Sequence, residues 1–267
     1  MLSSLRSQDL FDLDAETVPP YTESAIVYDH MMKDVDYRRW AKYLMQLAEL
    51  TGVNTSRSNL NGKSLCELGT GTGNLALHLL KYGFEITGVD ISAKMLDVAR
   101  NKLTRQTRQR LNFINHDMVT HTSENQYDII ICVYDSINYI GERKDLEMFF
   151  KNAYFNLRPE GIFIFDASLE PNSTIDPELF TQRGRIKNVF YQRESAYDPK
   201  TNTHTTRIRT KRGAKVFEEI HKEYVYDIET LRQAAKNAGF NERFAAGDFT
   251  LLRVNGNSER VHFILAK

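Results

Sequence analysis

The stretch "CELGTGTGN", Cys66–Asn74, places three glycines at alternate positions after a short apolar run. Glycines in such a loop allow the backbone to approach a bound ligand closely. Loops that bind dinucleotides have the spacing G-x-G-x-x-G, whereas this loop has G-x-G-x-G. The missing residue raises the question of which ligand the loop accepts.

Strands and helices alternate on both sides of this loop. Strands are predicted at 64–69, 85–90, 111–117, 127–135 and 161–168, and helices at 74–83, 92–103 and 144–159. Ser92 has the position of a helix N-cap. This alternation predicts an α/β, Rossmann-like fold, in which helices cover both faces of a mostly parallel sheet.

The pattern changes after residue 168. Charged, alternating strands flank the turn sequence "DPKTN" at 198–202, which predicts a small antiparallel β cap inserted after the fifth strand. A helix at 228–240 and two final strands then complete a seven-stranded sheet. The predicted organisation is a loose N-terminal arm with lid helices at 1–52, a binding core at 53–170, the cap at 171–227 and the C-terminal completion at 228–267.

Composition narrows the function. Lys plus Arg and Asp plus Glu both number 35, so the net charge is zero and nucleic acid is disfavoured as a partner. The two cysteines, Cys66 and Cys132, lie in apolar runs, as expected for buried thiols in a reducing compartment. No metal-binding motif, signal peptide or membrane-spanning run is found. We therefore expect a soluble cytoplasmic monomer or homodimer without a metal.

An acidic residue follows each of the first four core strands. Glu67 lies where a dinucleotide would place its pyrophosphate, which is an electrostatic mismatch, but its charge suits an ammonium group. Asp90 has the spacing of a ribose ligand, and Asp117 could accept a hydrogen bond from the adenine amine or cap a helix. The loop amides can receive a carboxylate. Ammonium, carboxylate, ribose and adenine together describe S-adenosylmethionine.

The ordered motifs resemble those of the class I S-adenosylmethionine-dependent methyltransferases. "CELGTGTGN", "GVDIS", "NHDM", "YDIIICVYDSINYI" and "LRPEGIFIFDA" follow one another over about residues 60–168. Thr70 is a mild departure from the small residue that is usual there. "YDHMMKDVDYRRWAKYL" (28–44) is similar to the N-terminal helices of a bacterial small-molecule group that includes sugar-amine N-methyltransferases. The resemblance implies S-adenosyl-L-methionine as cofactor and S-adenosyl-L-homocysteine as product.

The motifs and the resemblance together assign candidate residues. Cofactor-binding candidates surround the strand ends and the lid: Tyr28, Trp40, Glu67, Gly69, Thr70, Gly71, Gly73, Asp90, Ile91, Met95, Asp117, Met118 and Tyr134. Catalytic candidates are Tyr28, Asp135 and His221, and substrate-binding candidates are Ser136, Asn138, Tyr139, Glu219 and His221. Two alternatives stay open, because the loop at 135–138 could bond only to its own backbone, and His221 could be structural.

We expect in-line methyl transfer to a nitrogen or oxygen nucleophile of a small molecule. One alternative is methylation of tRNA or protein, although no "NPPY" or "DPPY" tetrad of the enzymes that methylate nucleic-acid amines is found. A nicotinamide-dependent oxidoreductase is disfavoured by the glycine spacing and by Glu67. A cofactor-binding module without catalysis is the third alternative.

Overall fold

The computed structural model describes residues 9–174 and 181–267 as two sheets with flanking helices. Predictions for the start of the N-terminal arm (1–8) and for part of the cap (175–180) lie outside these described residues.

The larger sheet has seven strands, and the predicted mostly parallel, Rossmann-like α/β architecture is confirmed. Its strands are β2 (Ser64–Leu68), β3 (Glu85–Asp90), β4 (Leu111–Asn115), β5 (Tyr127–Cys132), β6 (Leu157–Ser168), β11 (Asn241–Gly247) and β12 (Arg260–Ala266). They lie in the order β11-β12-β6-β5-β2-β3-β4, and only β12 runs antiparallel to its two neighbours. The order reverses between β2 and β5, which is where ligands bind in open α/β sheets.

Helices cover both faces of this sheet. They are α1 (Ala25–Met31), α2 (Tyr37–Glu49), α3 (Arg57–Leu60), α4 (Asn74–Leu79), α5 (Ala93–Asn101), α6 (Arg143–Asn156), α7 (Glu170–Ser173) and α8 (Ile228–Asn237). Burial of apolar side chains on each face supplies most of the driving force for packing. On one face Leu44 and Leu47 of α2 are fully buried, and on the other Phe149 and Phe150 of α6 are.

Side chains cap the N-termini of α5 and α8. Ser92 accepts a hydrogen bond from the Met95 amide at 3.2 Å, so the predicted N-cap of α5 is present. Asp227 accepts one from the Thr230 amide at 2.7 Å and starts α8 after the cap. These caps fix the points at which β3 and the cap region pass into helices.

The smaller sheet is the β cap. Its strands are β1 (Glu16–Thr17), β7 (Gln182–Ile186), β8 (Val189–Asp198), β9 (Thr203–Arg212) and β10 (Lys215–Tyr224), in the order β1-β10-β9-β8-β7. Strands β7 to β10 are antiparallel, as predicted, whereas β1 runs parallel to β10.

The described part of the N-terminal arm is docked on the cap. Besides the pairing of β1 with β10, the Leu10 amide donates to Gln192 Oε1 at 2.9 Å, and the Arg209 guanidinium donates to the Leu10 carbonyl at 2.7 Å. These partners lie about 200 residues away in the sequence, so local composition carried no sign of them.

Candidate functional site

A cavity of about 800 Å³ lies at the carboxyl ends of β2 to β5, between the core sheet, the lid helices α1 and α2, and the cap. Its volume is typical of a site for a small organic ligand. Most of the predicted site residues line it: Tyr28, Trp40, Glu67, Gly69, Thr70, Gly71, Asp90, Ile91, Met95, Asp117, Met118, Tyr134, Asp135, Ser136, Tyr139 and His221. Gly73, Asn138 and Glu219 do not line it.

The glycines of the loop have left-handed backbone conformations that other residues rarely adopt. Gly69 has φ of 73°, and a Cβ atom there would lie 2.5 Å from Ser136 Oγ. Gly73 has φ of 72°, and its Cβ would lie 2.7 Å from the Phe113 ring. Gly73 therefore packs against the Phe113 side chain, and it does not line the cavity.

Asp90 holds the loop from the end of β3. Its Oδ2 accepts the Gly71 amide at 2.7 Å, and its Oδ1 accepts the Ser92 amide at 2.8 Å. Burial raises the pKa of Asp90, while these two amides act in the opposite direction. The carboxylate remains on the cavity wall, where its unused lone pairs can receive two ribose hydroxyls.

Glu67 lies at the floor of the cavity and is only 3% exposed. The Thr70 hydroxyl donates to its Oε2 at 2.6 Å. Burial raises the pKa of Glu67 to about 7, with a smaller contribution from the nearby charge of Asp90. A cationic neighbour would stabilise the charged form of this buried carboxyl group, so Glu67 fits the ammonium end of S-adenosylmethionine.

Asp117 does not start a helix, because residues 118–120 form a turn. Its Oδ1 accepts the Val119 amide at 2.8 Å and so holds the turn after β4. The residue also lines the cavity together with Met118 and Ile91. These residues form the wall at which an adenine ring would lie.

The acceptor end begins after β5. Tyr134 and Asp135 have φ of 65° and 55°, which is uncommon for residues other than glycine. The Asp135 amide donates to Asp166 Oδ1 at 2.8 Å, and Arg260 contacts Asp166 at 2.6 Å and Asp135 at 3.3 Å. Asp135 Oδ1 is buried and has no hydrogen-bond partner among the described residues. A ligand in the cavity could supply that partner.

Asn138 was predicted to bind substrate, and the structure instead buries its side chain completely. Its amide nitrogen donates to the Ser168 and Tyr224 carbonyls at 3.1 and 2.9 Å, and its oxygen accepts the Ser168 amide at 3.0 Å. All the bonds lead to the backbone, so Asn138 joins the core to the cap. The alternative of a loop that bonds to backbone groups applies to this residue.

Glu219 was also predicted to bind substrate, but it bonds to the chain leading into α1. Its two oxygens accept the amides of Tyr21, Glu23 and Ser24 and the Ser24 hydroxyl, at 2.6–2.9 Å. Burial alone would raise the pKa of Glu219, but its bonds to His221 and to the start of α1 hold it below the usual range. Glu219 therefore anchors the lid to the cap.

His221 links this anchor to the cavity. Its Nε2 lies 3.1 Å from Glu219 Oε2, and its Nδ1 lies 3.2 Å from the Tyr139 hydroxyl. Since the Glu219 carboxylate can only accept, Nε2 carries a hydrogen, and in the neutral imidazole Nδ1 accepts from Tyr139. The Tyr139 hydroxyl also contacts that of Tyr21 at 2.6 Å. The arrangement orients His221 rigidly.

Tyr28 lies on α1 and lines the cavity. Burial raises the pKa of its hydroxyl well above the usual value, so the group keeps its proton at neutral pH. It can therefore orient a ligand through a hydrogen bond.

Three charged or polar cap residues on the cavity wall were missed by the sequence predictions: Arg193, Thr206 and Glu223. Glu223 lies two residues beyond His221 on the same strand, so the alternation of strand side chains could have indicated it. Arg193 and Thr206 come from β8 and β9, and their sequences carry no comparable sign.

Among the described residues, no group of three or more His, Cys, Asp or Glu side chains is placed to hold a metal ion. No described helix is both long and apolar enough to cross a membrane.

Comparisons with known proteins agree with this site. Residues 65–161 match the methyltransferase domain family. The chain is 28% identical to the Bacillus subtilis protein named "Putative methyltransferase YqeM", over 91% of this chain and 95% of that protein. A crystal structure of an S-adenosylmethionine-dependent methyltransferase from Clostridium acetobutylicum superposes with a TM-score of 0.73 at 24% identity, covering 92% of this chain and 98% of that one.

The sugar N-methyltransferase KedS8 from a Streptoalloteichus species superposes with a TM-score of 0.70 at 18% identity, covering 90% of this chain and 92% of that one. At this identity the likeness concerns the fold alone. The domain match and the similarity to a protein named as a methyltransferase bear out the predicted resemblance to the S-adenosylmethionine-dependent methyltransferases, and the solved structures show that the chain shares their fold.

Proposed function

We propose that this methyltransferase acts on a small molecule that binds between the Asp135 loop and the cap. The observation that carries the proposal is the lining of the cavity, to which the lid, the cap and the core sheet all contribute residues. An acceptor placed there lies under the β cap and close to the end of β5. A metabolite fits such a space better than a folded macromolecule does.

The cofactor supplies an electrophilic methyl group on a sulfonium. The acceptor nitrogen or oxygen attacks this methyl carbon, the new bond forms as the carbon–sulfur bond breaks, and the electron pair of that bond stays on sulfur. Because the leaving group is a neutral thioether, the protein has little need to protonate it. Alignment and exclusion of water are then its main contributions.

Named residues carry these contributions. Asp90 would receive the ribose hydroxyls of the cofactor, Glu67 would receive its ammonium group, and Asp117 would border its base, since all three line the cavity. Asp29 on α1 accepts bonds from the side chains of Thr72 and Asn74 at 2.6 and 2.9 Å, which keeps the lid on the glycine loop. Tyr28 and the Tyr139–His221 pair then border the acceptor space.

We also place the reaction in the cytoplasm, in keeping with two buried cysteines that form no disulfide. Incubating the protein with methyl-labelled S-adenosylmethionine and fractions of a cell extract tests the proposal. Label should enter the small-molecule fraction. Label in tRNA or protein alone would contradict it, and calorimetry with S-adenosylhomocysteine and with NAD separately tests the cofactor.

A further inference from the structure

Two side chains at the acceptor end have buried polar atoms that the described protein leaves unpartnered. They are Nε of Arg193 and Oδ1 of Asp135, and both residues line the cavity. A buried polar atom without a hydrogen bond costs free energy, so such atoms at a cavity wall indicate a missing ligand.

The register of the cap sheet places the acceptor-facing groups on one face. Arg193 on β8 lies opposite Ile208, Thr206 on β9 lies opposite His221, and Glu223 on β10 lies opposite His204. Strand side chains alternate between faces, so Arg193, Thr206, His221 and Glu223 all point the same way. All four line the cavity.

The two cap residues that differ most in charge are Glu223, an acid, and Arg193, a guanidinium. Burial, followed by the charge of Asp135, raises the pKa of Glu223 to about 8, although Arg193 and Arg260 act in the opposite direction. In the protein without an acceptor, Glu223 thus holds its proton at neutral pH. Arg193 carries a guanidinium whose buried Nε has no hydrogen-bond partner among the described residues.

We propose that the acceptor is a small amine that also carries an oxyanion group, with the oxyanion bound by Arg193 and the amine nitrogen beside Glu223. This inference rests on the proposed function and specifies its substrate class. A planar guanidinium suits either a carboxylate or a phosphate. Asp135 Oδ1 lies at the same end of the cavity and can accept a second amine hydrogen.

The same arrangement supplies a nucleophile. An ammonium group entering beside Glu223 displaces the carboxyl proton to solvent, and one N–H proton of the ammonium then passes to the Glu223 carboxylate. This leaves a neutral amine with a free lone pair, which a water-poor site favours over the ion pair. After the new nitrogen–carbon bond forms, the product leaves as a methylammonium ion and Glu223 keeps the proton that it took from the amine, which restores the carboxyl group of the free protein. One proton is released per methyl group transferred.

Identification of the labelled product tests the inference directly. Product from the small-molecule fraction should carry an N-methyl group and bind to an anion-exchange resin at high pH, where the amine is neutral and only the oxyanion is charged. A labelled product that is an O-methyl ether, or an amine with no acidic group, would overturn the inference while leaving the proposed function intact. Absence of labelled small molecules would instead contradict the proposed function.

Binding measurements then distinguish the two oxyanions. With S-adenosylhomocysteine bound, calorimetry compares glycine with glycinamide and glucosamine 6-phosphate with glucosamine. The anionic member of at least one pair should bind about tenfold or more tightly than its neutral partner, and that pair identifies carboxylate or phosphate. Equal affinities within both pairs would count against an oxyanion site at Arg193.

Variants assign the two roles by different kinetic constants of the identified acceptor. Arg193→Gln should raise KM by about 10- to 100-fold with a small effect on kcat, and Arg193→Lys should restore part of the loss. Glu223→Gln should lower kcat by about 100-fold or more. Glu194→Gln is the matched control, because Glu194 is adjacent to Arg193 on β8 and points to the other face.

All three test variants should bind S-adenosylhomocysteine as the unchanged protein does, which shows that they are folded. An unchanged KM in Arg193→Gln or an unchanged kcat in Glu223→Gln would refute the corresponding role.

Discussion

Cofactor binding should release a proton from Glu67. Burial raises the pKa of this carboxyl group to about 7 in the protein without ligand, whereas its ordinary value is 4.5. A bound ammonium group favours the charged carboxylate and should return the pKa toward that ordinary value. The whole interval corresponds to roughly 3 kcal/mol, since one pKa unit is worth about 1.4 kcal/mol.

The sign follows from proton counting. Below about pH 7 the free protein holds a proton on Glu67 that the complex lacks, so affinity rises with pH up to that value and then levels off. If the full interval is recovered, affinity should increase roughly tenfold between about pH 5.5 and pH 7. Calorimetry with S-adenosylhomocysteine in two buffers of different ionisation enthalpy measures both the affinity and the released proton.

Two controls isolate the carboxyl group. 5′-Methylthioadenosine lacks the amino-acid portion but keeps the ribose near Asp90, so its affinity should vary little with pH. Glu67→Gln should bind S-adenosylhomocysteine more weakly and without the pH dependence. If the two ligands show the same slope, or if the slope survives in Glu67→Gln, the proton comes from another group and the reasoning is wrong.

Other variants separate binding, catalysis and stability. Asp90→Ala should weaken S-adenosylhomocysteine binding by about 100-fold or more in calorimetry, whereas His221→Ala should spare binding and slow turnover; loss of binding in both would refute that division. Asn138→Ala should lower the free energy of unfolding in urea by about 2–4 kcal/mol, and the exposed Asn237→Ala should change it by less than about 0.5 kcal/mol. Glu219→Gln should also destabilise the protein, by about 2 kcal/mol at neutral pH. Because the pKa of Glu219 lies below its ordinary value of 4.5, this difference in stability should persist above pH 4.5 and vanish as the pH falls below the depressed pKa. A difference that stays constant with pH would argue against the anchor.

Local sequence signals predicted the core of the site because its parts are encoded close together. Glu67 and the glycines occupy one loop, and Asp90 ends the following strand, so spacing alone placed them. The fold was predictable for the same reason, since the alternation of apolar strands and amphipathic helices is a local pattern.

The acceptor end was not predictable to the same degree because it depends on non-local pairing. Arg193 and Glu223 lie on the same face of the cap only through the register of three cap strands. Asn138 and Ser136 lie two residues apart in one loop, yet one joins core to cap and the other lines the cavity. Polar residue types alone could not separate a ligand contact from an internal hydrogen bond.

One face of strand β10 both anchors the lid, through Glu219, and lines the cavity. Glu219 holds the start of α1, and His221 and Glu223 follow at successive inward positions, each about 7 Å further along the strand. A shift of β10 would therefore change the binding of the cofactor and of the acceptor together. If a bound acceptor raises the affinity for the cofactor, thermodynamic reciprocity requires that the bound cofactor raise the affinity for the acceptor by the same factor.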